Sequence, residues 1–396
     1  MDNRLTTKTP DPPDPFSRRL LAALLVLTLG GCGQTAVLPK GPPLETAAAA
    51  ADEFEAGLLV LSSPSLLAGI PGSGELTSEQ LAAWLADEGN HRPLEVTLPR
   101  HLRPSDAAAT AIEFPPDNSL TRARVELGRQ LFFDRRLSRG GRLCCADCHH
   151  PRRHFATYLA KDGPLRDPLP AVNRLLAPAH FWDGRAASLE EQAAGPLENL
   201  HELDLPAAEL TGRLAAIEGY RRQFERIFGR LELHEVCQAL ACFQRAAVSL
   251  PAAWDLGQAG PAARRGAALF FGERGGCSRC HAGPNFSDEH FHNVGTGAAA
   301  KSDEGRYAVT HREADRGAFK TPTLRNVAQT FPYGHDARWL SLAEAVAWFA
   351  GVGAHSAAGN ELTPLDLTAA EQQDLVAFLE SLSSPPPPVE TGRLPQ

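Results

Sequence analysis

Two five-residue stretches constrain this chain more than anything else in it: Cys145-Ala146-Asp147-Cys148-His149 and Cys277-Ser278-Arg279-Cys280-His281. Two cysteines three apart suit a redox pair or half of a zinc site, but neither requires a histidine directly after the second thiol. Covalent attachment of c-type haem does require it. The thiols add to the porphyrin vinyl groups, and the adjacent imidazole becomes the proximal iron ligand. A zinc site built from all four cysteines would leave both histidines unexplained. The sequence therefore predicts two covalently bound c-type haems, one on Cys145, Cys148 and His149 and the other on Cys277, Cys280 and His281, with iron at His149 and His281.

A chain of 396 residues is long enough to give each motif a domain with its own core. Only 4 tyrosines, against abundant Ala and Leu, favour helices over sheets, so the expected class is all-α. A net charge of -8 gives no sign of a nucleic-acid partner. Of the 8 cysteines, four belong to the haem motifs and Cys32 to an export signal. Cys144, Cys237 and Cys242 remain. The last two lie too poorly spaced on one helical stretch to pair, and read as buried free thiols.

Residues 1–33 have the form of a signal peptide. Arg18-Arg19 precede the apolar run Leu20–Leu29, which is too short to span a bilayer, and Leu29-Gly30-Gly31-Cys32 follows. That ending resembles a bacterial lipobox, in which Cys32 is lipidated; an ordinary cleaved signal with an incidental cysteine is the alternative. Export agrees with c-type haem, which bacteria attach outside the cytoplasm. The expected location is periplasmic, on an outer-membrane lipoprotein that meets the membrane through its lipid anchor alone. Residues 34–111 read as a linker and N-terminal extension. Within it, Thr77-Ser78-Glu79-Gln80 is a capping box ahead of Leu81, Trp84 and Leu85 at helical spacing.

From Ile112 the pattern sharpens. Leu120, Ala123, Leu127 and Leu131 form a helical stripe that runs into Phe132-Phe133 and on through Asp134–Ser138 to the first haem motif; Gly266–Phe271 repeats that approach before the second. Leu233–Val248 is an amphipathic helix. Thr368-Ala369-Ala370-Glu371 caps another, with Leu375, Phe378, Leu379 and Leu382 on one face. With Phe181-Trp182-Asp183-Gly184-Arg185 and the segment Phe319–Asp336, residues 112–383 resemble the bacterial dihaem cytochrome c peroxidase superfamily, which includes the MauG-type oxidases. The resemblance implies two cytochrome c-type domains whose haems face a shared interface: a peroxidatic one at 112–255 and an electron-transfer one at 256–384. A Pro-rich tail, 385–396, is expected to be disordered. No internal repeat beyond the haem motifs is apparent.

The resemblance also assigns roles. It implies an electron relay at Trp182, which composition alone would leave a core aromatic. Ten residues on, Gln192 orients peroxide; ten further, Glu202 takes a proton from one peroxide oxygen and returns it to the departing one. Glu190 and Glu191 are read as structural, because Ser188 to Glu191 is a capping box. A calcium ion is implied at Asp167, Thr330 and the carbonyl of Pro332, all hard oxygen donors.

Two departures from the family pattern are visible. The segment His150–Arg166 is short and lacks the Gly-His element that caps the peroxide-binding iron in many relatives, leaving only His150 and His154 near the motif. The first haem is therefore expected to be open or water-bound, without reductive activation. His180 either lines that pocket or is structural. At the second haem, the distal Met or Tyr of the family falls on Phe349, which cannot ligate iron, and the only methionine is Met1. Either that haem is five-coordinate, or His335 or His355 binds it. The expected activity is reduction of hydrogen peroxide with electrons from a small cytochrome c or cupredoxin. A MauG-type oxidation of a partner protein and a non-enzymatic dihaem electron carrier are the alternatives, and a homodimer is left open.

Overall fold

Helices begin where the sequence offers a side chain to their first free amides. In the computed structural model, which describes residues 53–104, 112, 114–157, 166–296, 303–352 and 361–396, Thr77, Thr121, Ser188, Ser341 and Thr368 each accept a hydrogen bond from the amide three residues on. The expected signal segment, its lipobox-like ending and His355 lie outside the described residues.

In chain order, the extension contributes β1 (Phe54–Glu55), β2 (Leu58–Val60), α1 (Pro64–Leu67), α2 (Ser78–Ala86) and β3 (Val96–Thr97). β2 pairs antiparallel with β1 and parallel with β3. A first lobe follows: α3 (Arg122–Phe133), α4 (Cys145–Cys148), α5 (Leu189–Glu198), α6 (Ala207–Ala216), α7 (Glu218–Phe228) and α8 (Leu233–Ala246). The second has α9 (Pro261–Phe271), β4 (Phe291–His292), α10 (Tyr307–Thr310), β5 (Phe319–Lys320), α11 (Leu342–Ala347) and α12 (Ala369–Glu380). β4 and β5 pair antiparallel. The molecule is thus mostly helical, with strands of two or three residues that are too short to leave an alternating pattern in the sequence. Leu59, Val96 and Leu102 of the extension share one buried core with Leu127, Leu240 and Phe243, while Phe270, Phe286, Leu342, Leu375 and Phe378 form a separate core in the second lobe.

Both lobes are built around one helix crossing. A Cβ on Gly128 of α3 would lie 1.9 Å from the Ala239 carbonyl oxygen of α8, and a Cβ on Gly266 of α9 1.9 Å from the Asp374 carbonyl oxygen of α12. Only glycine permits backbones this close. Beside each crossing three phenylalanine rings pack edge-on or tilted: Phe132, Phe155 and Phe243 at centroid distances of 5.0 to 6.0 Å, and Phe270, Phe286 and Phe378 at 4.8 to 6.1 Å.

The repetition runs further than the haem motifs, which corrects the expectation of no other repeat. Asn173 and Asn326 both adopt a left-handed conformation. Each donates its amide to the last stretch of its lobe, at Ala247 (2.9 Å) and Leu382 (3.0 Å), and each accepts a serine amide, from Ser249 and Ser384, at 2.8 Å. From there the lobes match without a gap to Glu191 and Glu344, which accept the amides of Ala187 and Leu340 at 2.7 Å. The trace in sequence is Asp-x-Arg-x-x-Ser-Leu-x-Glu, present at Asp183–Glu191 and at Asp336–Glu344. In this register Trp182 answers to His335.

The Pro-rich tail also departs from expectation. It packs back on the first lobe, where the buried Arg129 guanidinium donates to the carbonyls of Glu390 (2.8 Å) and Gly392 (2.9 Å) and Arg136 donates to that of Pro395 (2.8 Å). A buried guanidinium has five donors to satisfy; Glu126 takes two of them, and tail carbonyls take others.

Candidate active site

The first haem motif forms α4, a single turn that puts Cys145 and Cys148 on one side of the chain, with the His149 amide donating to the Cys145 carbonyl at 2.8 Å. His149 Nδ1 then donates to the Phe155 carbonyl at 3.0 Å. A carbonyl only accepts, so Nδ1 carries the proton and Nε2 keeps the lone pair that a metal needs. His281 repeats this: its amide donates to Cys277 at 2.9 Å and its Nδ1 to the Phe286 carbonyl at 3.0 Å. Phe155 and Phe286 both take positive φ, 59° and 50°, which turns each carbonyl back to its histidine. Burial lowers the pKa of both imidazoles and keeps them neutral, the form that ligates. These donors fit two covalent c-type haems. A four-cysteine zinc site does not form, because among the described residues the metal-capable side chains within reach of one another are Cys280, Asp288 and His292. His292 itself is held between Glu361 (2.7 Å) and Asp288 (2.8 Å); burial works against its charge, but these bonds outweigh it and raise its pKa.

Trp182 lies where the lobes meet. Its indole donates to the Asp167 carbonyl at 2.7 Å, and its own carbonyl accepts the Lys320 amide of β5 at 2.8 Å. His335 stands edge-on to it at 6.3 Å between centroids and stacks on Phe319 at 3.7 Å. The His335 carbonyl accepts the Asp167 amide at 2.7 Å. Burial drops the His335 pKa to about 4, so its ring is neutral at pH 7. Asp183, next in sequence to Trp182, is gripped by Arg185 (3.0 Å) and by Arg166 (2.6 Å), and Arg166 also pairs with Asp303 of the second lobe at 2.7 Å.

Gln192 is half-buried one turn into α5. Glu190 and Glu191 are structural as expected: Glu190 binds Arg245 at 2.7 and 2.8 Å, and Glu191 reaches the Ala187 amide. Glu202 is exposed in the turn after α5, where it accepts the Asn199 side-chain amide at 2.7 Å. Its charge helps raise the pKa of Cys148, after the larger effect of burial, so the carboxylate stands beside the first haem motif.

Of the proposed calcium donors, Asp167 is buried and bonded to the His335 backbone, Thr330 Oγ1 lies 3.3 Å from the Val327 carbonyl, and Pro332 follows a cis peptide bond. Phe349 is half-buried in a wide helical turn over Trp348–Val352, its ring 5.6 Å from Trp339. His180 is buried among charges, and burial first, then Arg174 and Lys320, push its pKa down to about 3. That ionic group was not legible beforehand, since Arg174, Glu289 and Lys320 are far apart in sequence.

A family model for di-haem cytochrome c peroxidase matches residues 122–262. The methylamine utilization protein MauG of Methylorubrum extorquens is 36% identical over 342 residues, covering 82% of this chain and 95% of its own length. Cytochrome c551 peroxidase of Nitrosomonas europaea is 32% identical over 289 residues, covering 68% and 83%. Among solved structures, a MauG-like protein associated with microbial copper homeostasis superposes with a TM-score of 0.65 at 28% identity, covering 72% of this chain and 94% of that one.

Proposed function

Since this chain belongs to the dihaem cytochrome c peroxidase and MauG superfamily, we propose that it reduces hydrogen peroxide to water with electrons from a small cytochrome c or cupredoxin. When bound, the two haems supply iron able to exchange single electrons and cleave peroxide, which no side chain here can do. Cys145, Cys148 and His149 hold the peroxidatic haem, and Cys277, Cys280 and His281 the electron-accepting one. Gln192 orients peroxide by hydrogen bonding. Glu202 removes a proton from one peroxide oxygen and delivers it to the other, and each turnover consumes two electrons and two protons to leave two waters. Trp182 carries electrons between the lobes. The observation that supports this most is the double anchoring of Trp182, to Asp167 in its own lobe and to Lys320 in the other.

At the second haem site Phe349 cannot supply a ligand, so a histidine, His335 or His355, would have to do so if any residue does; His335 is already stacked on Phe319, and His355 is the one we favour. A calcium ion at Asp167, Thr330 and Pro332 would tie the two lobes. Chelation should then lower the thermal midpoint, with calcium and not magnesium restoring it. We place the protein in the periplasm on a lipid anchor at Cys32; among the described residues no helix is long and apolar enough to cross a membrane.

The 36% identity to a MauG protein supports a second reading, in which the same site oxidises residues of a partner protein. Mixing the dihaem protein with peroxide and either reduced cytochrome c or a candidate partner separates them. Fast stoichiometric donor oxidation supports the peroxidase. Slow donor oxidation with a mass change in the partner supports the oxidase, and no reaction with either leaves a dihaem electron carrier.

A further inference from the structure

Where the lobes meet, buried charges fail to cancel. The side chain of Lys320 is 0% exposed, and its ammonium donates to Glu289 Oε2. The other oxygen of Glu289 accepts the Asn285 side-chain amide at 2.9 Å. Arg174, just after the left-handed Asn173, is only 7% exposed, yet its guanidinium comes no closer than 3.7 Å to Glu289. Its Nε and Nη2 have no hydrogen-bond partner among the described residues. Glu190 gives no relief, because it is already matched by Arg245. Glu289 is thus the only carboxylate acting on Arg174 and is shared with Lys320, which Asp288 helps to balance although His292 already binds it; the buried neighbour His180 adds no negative charge. A buried charge without a partner is strongly destabilising, so this arrangement calls for one more anion.

The free atoms identify its chemistry. Nε and Nη2 form one edge of the guanidinium fork, which meets a carboxylate with two parallel bonds. In this same protein Arg129 presents that edge to Glu126, with both bonds at 2.7 Å, and Arg166 presents it to Asp303 at 2.9 and 2.7 Å. The surroundings identify its source. Lys320 bonds the Trp182 backbone, and Glu289 adjoins Asp288, whose amide donates to the carbonyl of the haem-attachment residue Cys280 at 2.7 Å. The cluster is enclosed between the two haem-bearing lobes.

We propose that Arg174 and Lys320 form a carboxylate-binding site that receives a propionate of a covalently bound haem, with Arg174 as the bidentate donor and Glu289 setting the charge of the site. This assignment rests on the two-haem reading given above. Arg174 is a positioning residue: it fixes the porphyrin and keeps the propionate ionised, without touching peroxide.

The test uses the intact dihaem protein. Resonance Raman spectra report the propionate bending band, and spectroelectrochemistry between pH 5 and 8 reports each haem potential. Wild type should show no pH dependence beyond that of His292, which titrates beside Cys280. Arg174→Gln should retain both haems, shift the propionate band, lower one potential and make it pH-dependent; Arg174→Lys, which keeps the charge but not the fork, should shift the band while leaving the potential close to wild type. An Arg174→Gln protein with two haems and an unchanged band and pH profile would overturn the proposal. So would a saturable response of the wild-type band to added acetate, which would mark the site as one for a free anion. If Arg174→Gln does not fold, Arg174→Lys carries the test, and a two-haem Arg174→Lys protein with the wild-type propionate band refutes the proposal. Purified wild type lacking two covalent haems would instead sink the dihaem reading.

Discussion

The amide of Lys320 donates to the carbonyl of Trp182 at 2.8 Å, so the residue proposed to relay electrons is pinned by a main-chain bond to the lobe it does not belong to. Its indole N–H is fixed at the other end by Asp167, at 2.7 Å. Position and orientation are therefore set by backbone, not by packing alone.

Trp182→Phe keeps an aromatic ring and removes the N–H donor. The protein should retain both haems and lose about 1 kcal/mol of stability, the usual worth of one such bond. Peroxide-driven donor oxidation should fall by about tenfold or more, equivalent to roughly 1.4 kcal/mol or more of barrier. Steady-state assays beside haem quantification check this; unchanged turnover would remove Trp182 from the electron path.

The helix crossings make a sharp stability prediction. Gly128→Ala or Gly266→Ala forces a methyl to within 1.9 Å of a facing carbonyl oxygen, so the helices must part. Each should cost about 1–3 kcal/mol or more and reduce haem incorporation. Gly212→Ala is the control: it lies exposed within α6 with nothing within 4 Å, and should stabilise by about 0.5–1 kcal/mol. Thermal unfolding of the three variants decides the matter.

Much of this architecture was legible in the chain because local chemistry dictated it. The stripe of Leu120, Ala123, Leu127 and Leu131 became α3, Thr368 capped α12, and Leu375, Phe378, Leu379 and Leu382 are all buried. Cys237 and Cys242 are buried free thiols, as their spacing implied. What escaped notice depends on distant partners. The tail looked disordered because its order comes from Arg129 and Arg136, more than 250 positions earlier. Arg174, Glu289 and Lys320 carry no motif, and only the fold brings them together. The internal repeat is present in sequence, but as scattered identities between Asp183–Glu191 and Asp336–Glu344 that include no cysteine or histidine.

Acid should destabilise the protein in a definite window. His154 is fully buried and burial drops its pKa to about 4; His180, also buried, falls to about 3. Both lie below the ordinary value near 6.5, so the unfolded chain takes up protons first as the pH falls. From these two, stability should decline as the pH falls between about pH 6.5 and 4, by up to about 1.4 kcal/mol per pH unit for each histidine, while His292, whose pKa is raised, acts in the opposite sense above pH 6.5. Thermal midpoints across pH 4–8 measure this, and His154→Gln should flatten the slope.

The measurement that bears most directly on the central claim is peroxide turnover by the purified dihaem protein with reduced cytochrome c, wild type against Glu202→Gln. Glu202 is exposed and its Asn199 contact should survive in the amide, so the fold and both haems should be retained. If Glu202 moves the peroxide proton, kcat should fall by about 10²–10⁴ in the variant. Equal turnover in both proteins would contradict the role given to Glu202, and failure of the wild type to oxidise the donor would contradict the peroxidase itself.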